Sequence, residues 1–185
     1  MRESGRRMCI GRLLRHGCGL VLGFSLLTGC VESAAPILAD ARPLLGEHVR
    51  LHLYGLHDGK AHDFQKVAFR WNGKRYVSVG RNHSGIDSFT LHPFAGDDWI
   101  AQSAHTWRGV TTIEYALVRH LAEGVHLVIP IDEDDADEAT RARMCQRSPQ
   151  FACRIDSVAQ LMSLARATAA KPHAAGGLAV QIADP

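Results

Sequence analysis

The chain has 185 residues, 46% of them hydrophobic and 22% charged, with a formal net charge of +2. Of its 21 basic and 19 acidic residues, five arginines and one glutamate lie in residues 1–29, which leaves 16 and 18, a net charge of −2, for the other 156 (185 − 29). That composition suits one globular domain with a sizeable core, and its balance of charge argues against a nucleic-acid partner.

The N-terminal element is a basic, Arg-rich segment followed by an apolar run, Gly17 to Leu27. A bilayer-spanning helix needs about 20 apolar residues, so this run of 11 is too short to be a permanent span. It has the layout of an export signal: charged start, short apolar core, small residues before a cut. With its ending Leu26-Leu27-Thr28-Gly29-Cys30, the segment resembles bacterial lipoprotein signal peptides. The resemblance implies that residues 1–29 are removed and that Cys30 becomes the lipidated first residue. Two acyl chains already anchor a protein stably, and a lipoprotein cysteine carries three. It also implies a place in the cell envelope, and the outer membrane over the inner one, because Val31 rather than Asp follows Cys30. The resemblance ends at residue 30 and brings no activity with it.

Residues 30–46 read as a lipidated tether, with two prolines, four alanines and no clear period. From residue 47 the pattern turns to strands. His48–Tyr54 alternates in part. Val67–Trp71 and Lys74–Val79 flank Asn72-Gly73, a strong hairpin signal because both turn residues accept positive φ. A two-residue loop there predicts Phe69 opposite Tyr76. Two further strand–turn–strand units follow: Ser88–His92 with Trp99–Ser103, and Thr112–Val118 with Val125–Ile131. The expected fold is mainly β with a C-terminal α region. It is an antiparallel β-meander, forming a curved sheet, sandwich or small barrel, plus two short helices.

The first helix is expected over 134–144, where acids at the start and arginines towards the end match the helix dipole. Cys145 and Cys153 follow. In an oxidising compartment, with Cys9 and Cys18 gone with the signal and Cys30 lipidated, these two are expected to form a disulfide. Closing so short a ring contributes about 2.6 kcal/mol on a chain-entropy estimate. The seven intervening residues fit a structural staple better than a redox-active C-x-x-C pair. Ser157-Val-Ala-Gln160 has the form of a capping box, and Val158, Leu161 and Leu164, with Met162 and Ala165, give the second helix an apolar stripe; Pro172 ends that helix near Ala170. The single β-rich domain is thus expected to span residues 47–172, with 173–185 a flexible tail that includes Leu178–Ile182 as an optional edge strand.

Chemistry is harder to find. The acidic run 132–138 lacks the glycine of a calcium loop and reads as a solvated helix start. Ten histidines follow residue 29, among them His48 and His52 at a spacing of four and His57, His62 and His83 in expected loops, without metal-ligand spacing. The stretch Gly80 to Gly85 fails as a nucleophile elbow because Asn82 replaces its first required glycine. Asp97, Asp98 and Glu123 fall in turns, where acids serve the backbone. Trp71, Trp99 and Trp107 read as core packing rather than a glycan or peptide face. No catalytic residue, metal ligand or cofactor is assigned. The leading expectation is a non-catalytic role in the envelope, structural or binding. The partners are the membrane, through the lipid anchor, and an envelope protein, glycan or small molecule. The alternatives are an envelope-directed hydrolase, which needs a His and a carboxylate or Ser in one pocket, and a His-rich metal-binding lipoprotein.

Overall fold

The computed structural model describes residues 31–57, 60–80, 86–107, 109–144, 146–147, 153–171 and 176–182. Eleven strands are described: β1 Val31–Ser33, β2 His48–His57, β3 Lys60–Trp71, β4 Tyr76–Ser78, β5 Ser88–Ala95, β6 Asp98–Trp107, β7 Val110–Ala122, β8 Val125–Pro130, β9 Gln146–Arg147, β10 Cys153–Arg154 and β11 Gly176–Gln181. Two α-helices, α1 Glu138–Met144 and α2 Val158–Ala169, lie between β8 and β11, with a 3-10 turn at Glu133–Asp135. Among the described residues no helix is long and apolar enough to cross a membrane.

Eight of these strands close a barrel. β2 to β8 pair antiparallel with their neighbours in chain order, β11 fills the gap between β8 and β2, and all eight pairings are antiparallel. Closure removes every sheet edge from this ring. The meander expected from the sequence is therefore a small antiparallel barrel, with the two helices C-terminal to the meander as anticipated.

The alternation of each strand divides the apolar residues between two clusters. Facing inward are Val49, Leu51, Val67, Phe69, Tyr76, Leu91 and Val118, with Phe89, Trp99 and Ala101 packed against them. On the outer wall, Ile100, Ile113 and Tyr115 of β6 and β7 meet Leu161, Leu164 and Ala165 of α2, and Val31, Cys153 and Ile155 join them. The capping box at the start of α2 forms as its sequence predicts: the Ser157 hydroxyl accepts from the Gln160 N–H, and the Gln160 side chain accepts from the Ser157 N–H. The helix buries Leu161, Leu164, Ala165 and Thr168, so the expected stripe packs on the barrel except at its first residue, Val158, which is 45% exposed.

Three expectations are corrected. The tether expected at residues 30–46 belongs to the fold from Val31 on. Val31 is fully buried, β1 pairs antiparallel with β7 and parallel with β10, and the buried Ser33 hydroxyl hydrogen-bonds the Tyr115 hydroxyl at 2.7 Å. Beyond β1, the Ile37 and Leu38 N–H groups donate to the buried Gln102 side chain, both at 3.0 Å, which straps this segment to β6. Leu44 and Leu45 pack on the inner cluster, and the Tyr76 hydroxyl accepts from the Leu45 N–H and donates to the Gly46 carbonyl, each at 2.9 Å.

The flexible tail expected at 173–185 contains β11, which closes the barrel between two strands rather than adding an edge. The hairpin at Asn72-Gly73 is longer than the two-residue loop expected. Tyr76 stands opposite Trp71, and Phe69 opposite Ser78. The Asn72 side chain explains this: it accepts from the N–H groups of Lys74 and Arg75, building a wider turn around Gly73 at φ 91°. In the acidic run Arg141 pairs with Asp134, and Asp137 caps α1 by accepting from the Thr140 N–H and hydroxyl.

Candidate functional site

Inside the barrel, between β2, β5, β6, β8 and β11, lies a cavity. The space open to the centre of a water-sized sphere is about 90 Å3. A water needs roughly 10–15 Å3 by that measure, so about six would fit. Eight-stranded barrels are just wide enough to be filled by side chains or to hold one small ligand, and local side-chain size decides which. Here inward positions are held by Ala101, Gly177 and Ala179 where larger residues would close the space. Gly177 faces Gly55 across the β11–β2 pair, so two adjacent wall positions carry no side chain.

The wall is mostly carbon, from aliphatic side chains with Phe69, Phe89 and Trp99. Besides the Trp99 indole N–H, three of the described side chains bring polar atoms to it. Ser103 donates to the Glu114 carbonyl at 3.4 Å. The Tyr54 hydroxyl bonds to His52 Nδ1 at 2.8 Å, and His52 Nε2 lies 2.6 Å from Asp63. The third, His126, is 4% exposed, and neither Nδ1 nor Nε2 has a hydrogen-bond partner among the described residues. Its neighbours in register are Ala179 of β11 and His120 of β7, and its ring centroid lies 5.3 Å from Trp99 and 5.4 Å from His120. Burial first, and then the nearby His120, push its pKa below the usual histidine range. The ring is neutral at pH 7, with one nitrogen able to donate and the other to accept.

A second polar feature adjoins Ser103. Glu114 stands directly opposite Ser103 on the β6 side and opposite Glu32 on the β1 side, so all three share one sheet face. Burial, with the charge of Glu32 added, raises the Glu114 carboxyl to about 7.

The residues singled out from the sequence fall elsewhere. Cys153 is buried and disulfide-bonded, while Cys30 and Cys145 lie outside the described residues, as do His83 and Ser84. Asp98 forms a bidentate pair with Arg119, the shortest contact being 3.0 Å, and so serves the β6–β7 pairing. The acidic run caps its own turns and receives Lys171, whose ammonium lies 3.4 Å from Asp135. Trp99 lines the cavity, and Trp71 packs at 5.2 Å on Tyr76. His52 is tied to Asp63 and Tyr54. Among the described residues, no group of three or more His, Cys, Asp or Glu side chains is placed to share a metal ion. The residue that sequence reasoning missed is His126. Its only signal is a lone polar side chain two positions before Val128, sharing that residue's inward parity.

No family model matches the chain, and neither a curated protein nor a solved structure matches it.

Proposed function

We propose that this protein is an envelope lipoprotein, anchored in the outer membrane through Cys30, whose barrel is a non-catalytic binding module for a small, largely apolar molecule. The observation that carries the reading is the cavity. A closed barrel leaves space beside glycine and alanine on a carbon wall, where the hydrophobic effect favours an apolar occupant over water. The one His–carboxylate pair beside it among the described residues, His52–Asp63, holds the Tyr54 hydroxyl and so fixes part of the wall. The alternative of an envelope hydrolase draws on that pair alone. Loss of a phenotype in an Asp63→Asn variant that still folds and still takes up the small molecule would favour it.

The direct test is native mass spectrometry of the full-length protein taken from membranes, before and after exposure to toluene. The expected result is one added molecule per chain, lost in Ala179→Val, which fills the cavity. A protein that takes up none at millimolar toluene is not a small-molecule barrel.

A further inference from the structure

His126 gives the cavity a chemical preference. An unpaired buried polar group costs free energy, and this side chain holds two such atoms among the described residues where an apolar side chain would leave none. Its ring borders the carbon wall with both nitrogens covered, so a ligand hydroxyl meets them when the ring turns towards the cavity. The Ser103 and Tyr54 hydroxyls already have partners and the Trp99 indole is a donor only, so among the described lining residues His126 is the side chain with both a donor and an acceptor unpartnered.

The charges around the cavity narrow the class. Among the described residues no Lys or Arg lines it, and the Glu32 and Glu114 side chains share the face of Ser103, which does. An anionic ligand would enter without a countercharge and beside two carboxyl groups. A cationic ligand would lose its hydration against carbon and meet a neutral imidazole. A neutral hydroxyl donates once and accepts once, which matches a neutral imidazole atom for atom. Space for about six waters limits the rest of the molecule to a single substituted ring or its equivalent in bulk.

We infer that the barrel takes a small neutral molecule with one ring and one hydroxyl, a phenol or cyclic alcohol, bound with its hydroxyl on the His126 imidazole and its ring against Phe69, Phe89 and Trp99. This rests on the reading of the barrel as a small-molecule site and adds what that site selects. Sites built to bond a hydroxyl reject the analogue that lacks it, because the buried partner is then left unpaired.

The experiment compares three probes of one shape, p-cresol, toluene and p-toluate, by calorimetric titration of the full-length protein in detergent at pH 7.5. p-Cresol is expected to bind at least tenfold tighter than toluene, and p-toluate more weakly than either. In His126→Phe, p-cresol and toluene should bind within about threefold of each other, and His126→Gln, which keeps a donor and an acceptor, should restore part of the preference. Because either variant can lose the fold, the wild-type protein gives an independent reading. Nitrogen-15 shifts of the His126 ring should move with p-cresol and stay with toluene. Toluene binding as tightly as p-cresol, or unmoved His126 nitrogens, overturns the inference while leaving the barrel a binding site. p-Toluate as the tightest ligand overturns the neutral class. No binding of any probe overturns both this inference and the reading beneath it.

Discussion

Glu32 and Glu114 face each other across the antiparallel pair of β1 and β7, two carboxyl side chains on one face of the sheet. Like charges directly opposite destabilise a sheet. Burial and Glu32 raise Glu114 from 4.5 to about 7, so over that window the folded state holds a proton that the unfolded chain has released. The stability that this group contributes is full below pH 4.5 and is lost as pH rises through about 7. Glu114→Gln should therefore be more stable than wild type at pH 8, by roughly 2–3 kcal/mol at most, and equal to it at pH 4. Thermal melts at the two pH values measure this. His126 works in the other direction. With its folded pKa depressed, stability falls as pH drops below about 6.5, where the unfolded chain takes up the proton first. That acid limb should persist in Glu114→Gln, and equal melting temperatures at pH 8 would remove the carboxyl pair as its counterpart.

The strands legible in the sequence are those that alternate with one face on the inner cluster, such as Val67–Trp71 and Trp99–Ser103. The first half of β3, Lys60 to Lys66, has mostly exposed or half-buried residues and no apolar period, so it gives no signal. β11 begins Gly-Gly and follows Pro172, which reads as a frayed end. Its place between β8 and β2 is set by partners about 50 and 125 residues earlier in the chain. The segment after β1 has no period because its order comes from side chains elsewhere, Gln102 and Tyr76. His126 was hidden for a related reason: a histidine in an apolar strand looks the same facing in or out until barrel closure fixes the face. The site could not be read before the topology.

Gln102 shows how far that strap depends on one side chain. Its carbonyl oxygen accepts from Ile37 and Leu38, and its amide nitrogen donates to the Leu38 carbonyl and the Thr90 hydroxyl. Gln102→Leu keeps the bulk but leaves two N–H groups without their acceptor. The expected cost is about 1–3 kcal/mol. Faster amide exchange at Ile37 and Leu38, with β8 and β11 unchanged, would locate the loss in the strap. Uniform loss of protection would show that no separate strap exists.

Gly176 and Gly73 are glycines for different reasons, and alanine separates them. At Gly73, φ is 91° and a Cβ would meet nothing within 4 Å, so only backbone strain opposes it. At Gly176 a Cβ would lie 2.6 Å from the Val128 carbonyl oxygen, inside the β11–β8 pairing that helps close the barrel. Gly73→Ala should cost about 1 kcal/mol. Gly176→Ala should cost more, about 2–3 kcal/mol, because backbone must shift. Denaturant midpoints of the two variants rank them, and the reverse order would show that β11 is not held where the barrel needs it.

Cys153 is disulfide-bonded, and two cysteines precede strands that pair with its own: Cys145 comes just before β9, and Cys30 just before β1. Non-reducing peptide mapping of protein from membranes is expected to link Cys145 to Cys153. A link from Cys30 to Cys153 would refute that pairing and the lipid assignment together, since one sulfur cannot carry both bonds.

If the map leaves Cys30 free for lipid, the anchor joins the fold without a spacer, because Val31 is fully buried between β7 and β10. The lipid would then hold the outer-wall cluster, where β1 sits, close to the membrane surface. Cys30→Ser with export preserved should release the protein from membranes and remove the mass of the acyl chains. Its melting temperature should stay within about 2 °C if Cys30 serves only as the anchor, since a substitution that touches no packed feature is worth about 0.5 kcal/mol or less. Inserting a Gly-Ser linker between Cys30 and Val31 should likewise leave stability unchanged while lifting the domain, measured as easier protease access to the β1 face on intact vesicles. A Cys30→Ser protein that still fractionates with membranes at unchanged mass would mean that the chain is held there by some other part of its surface.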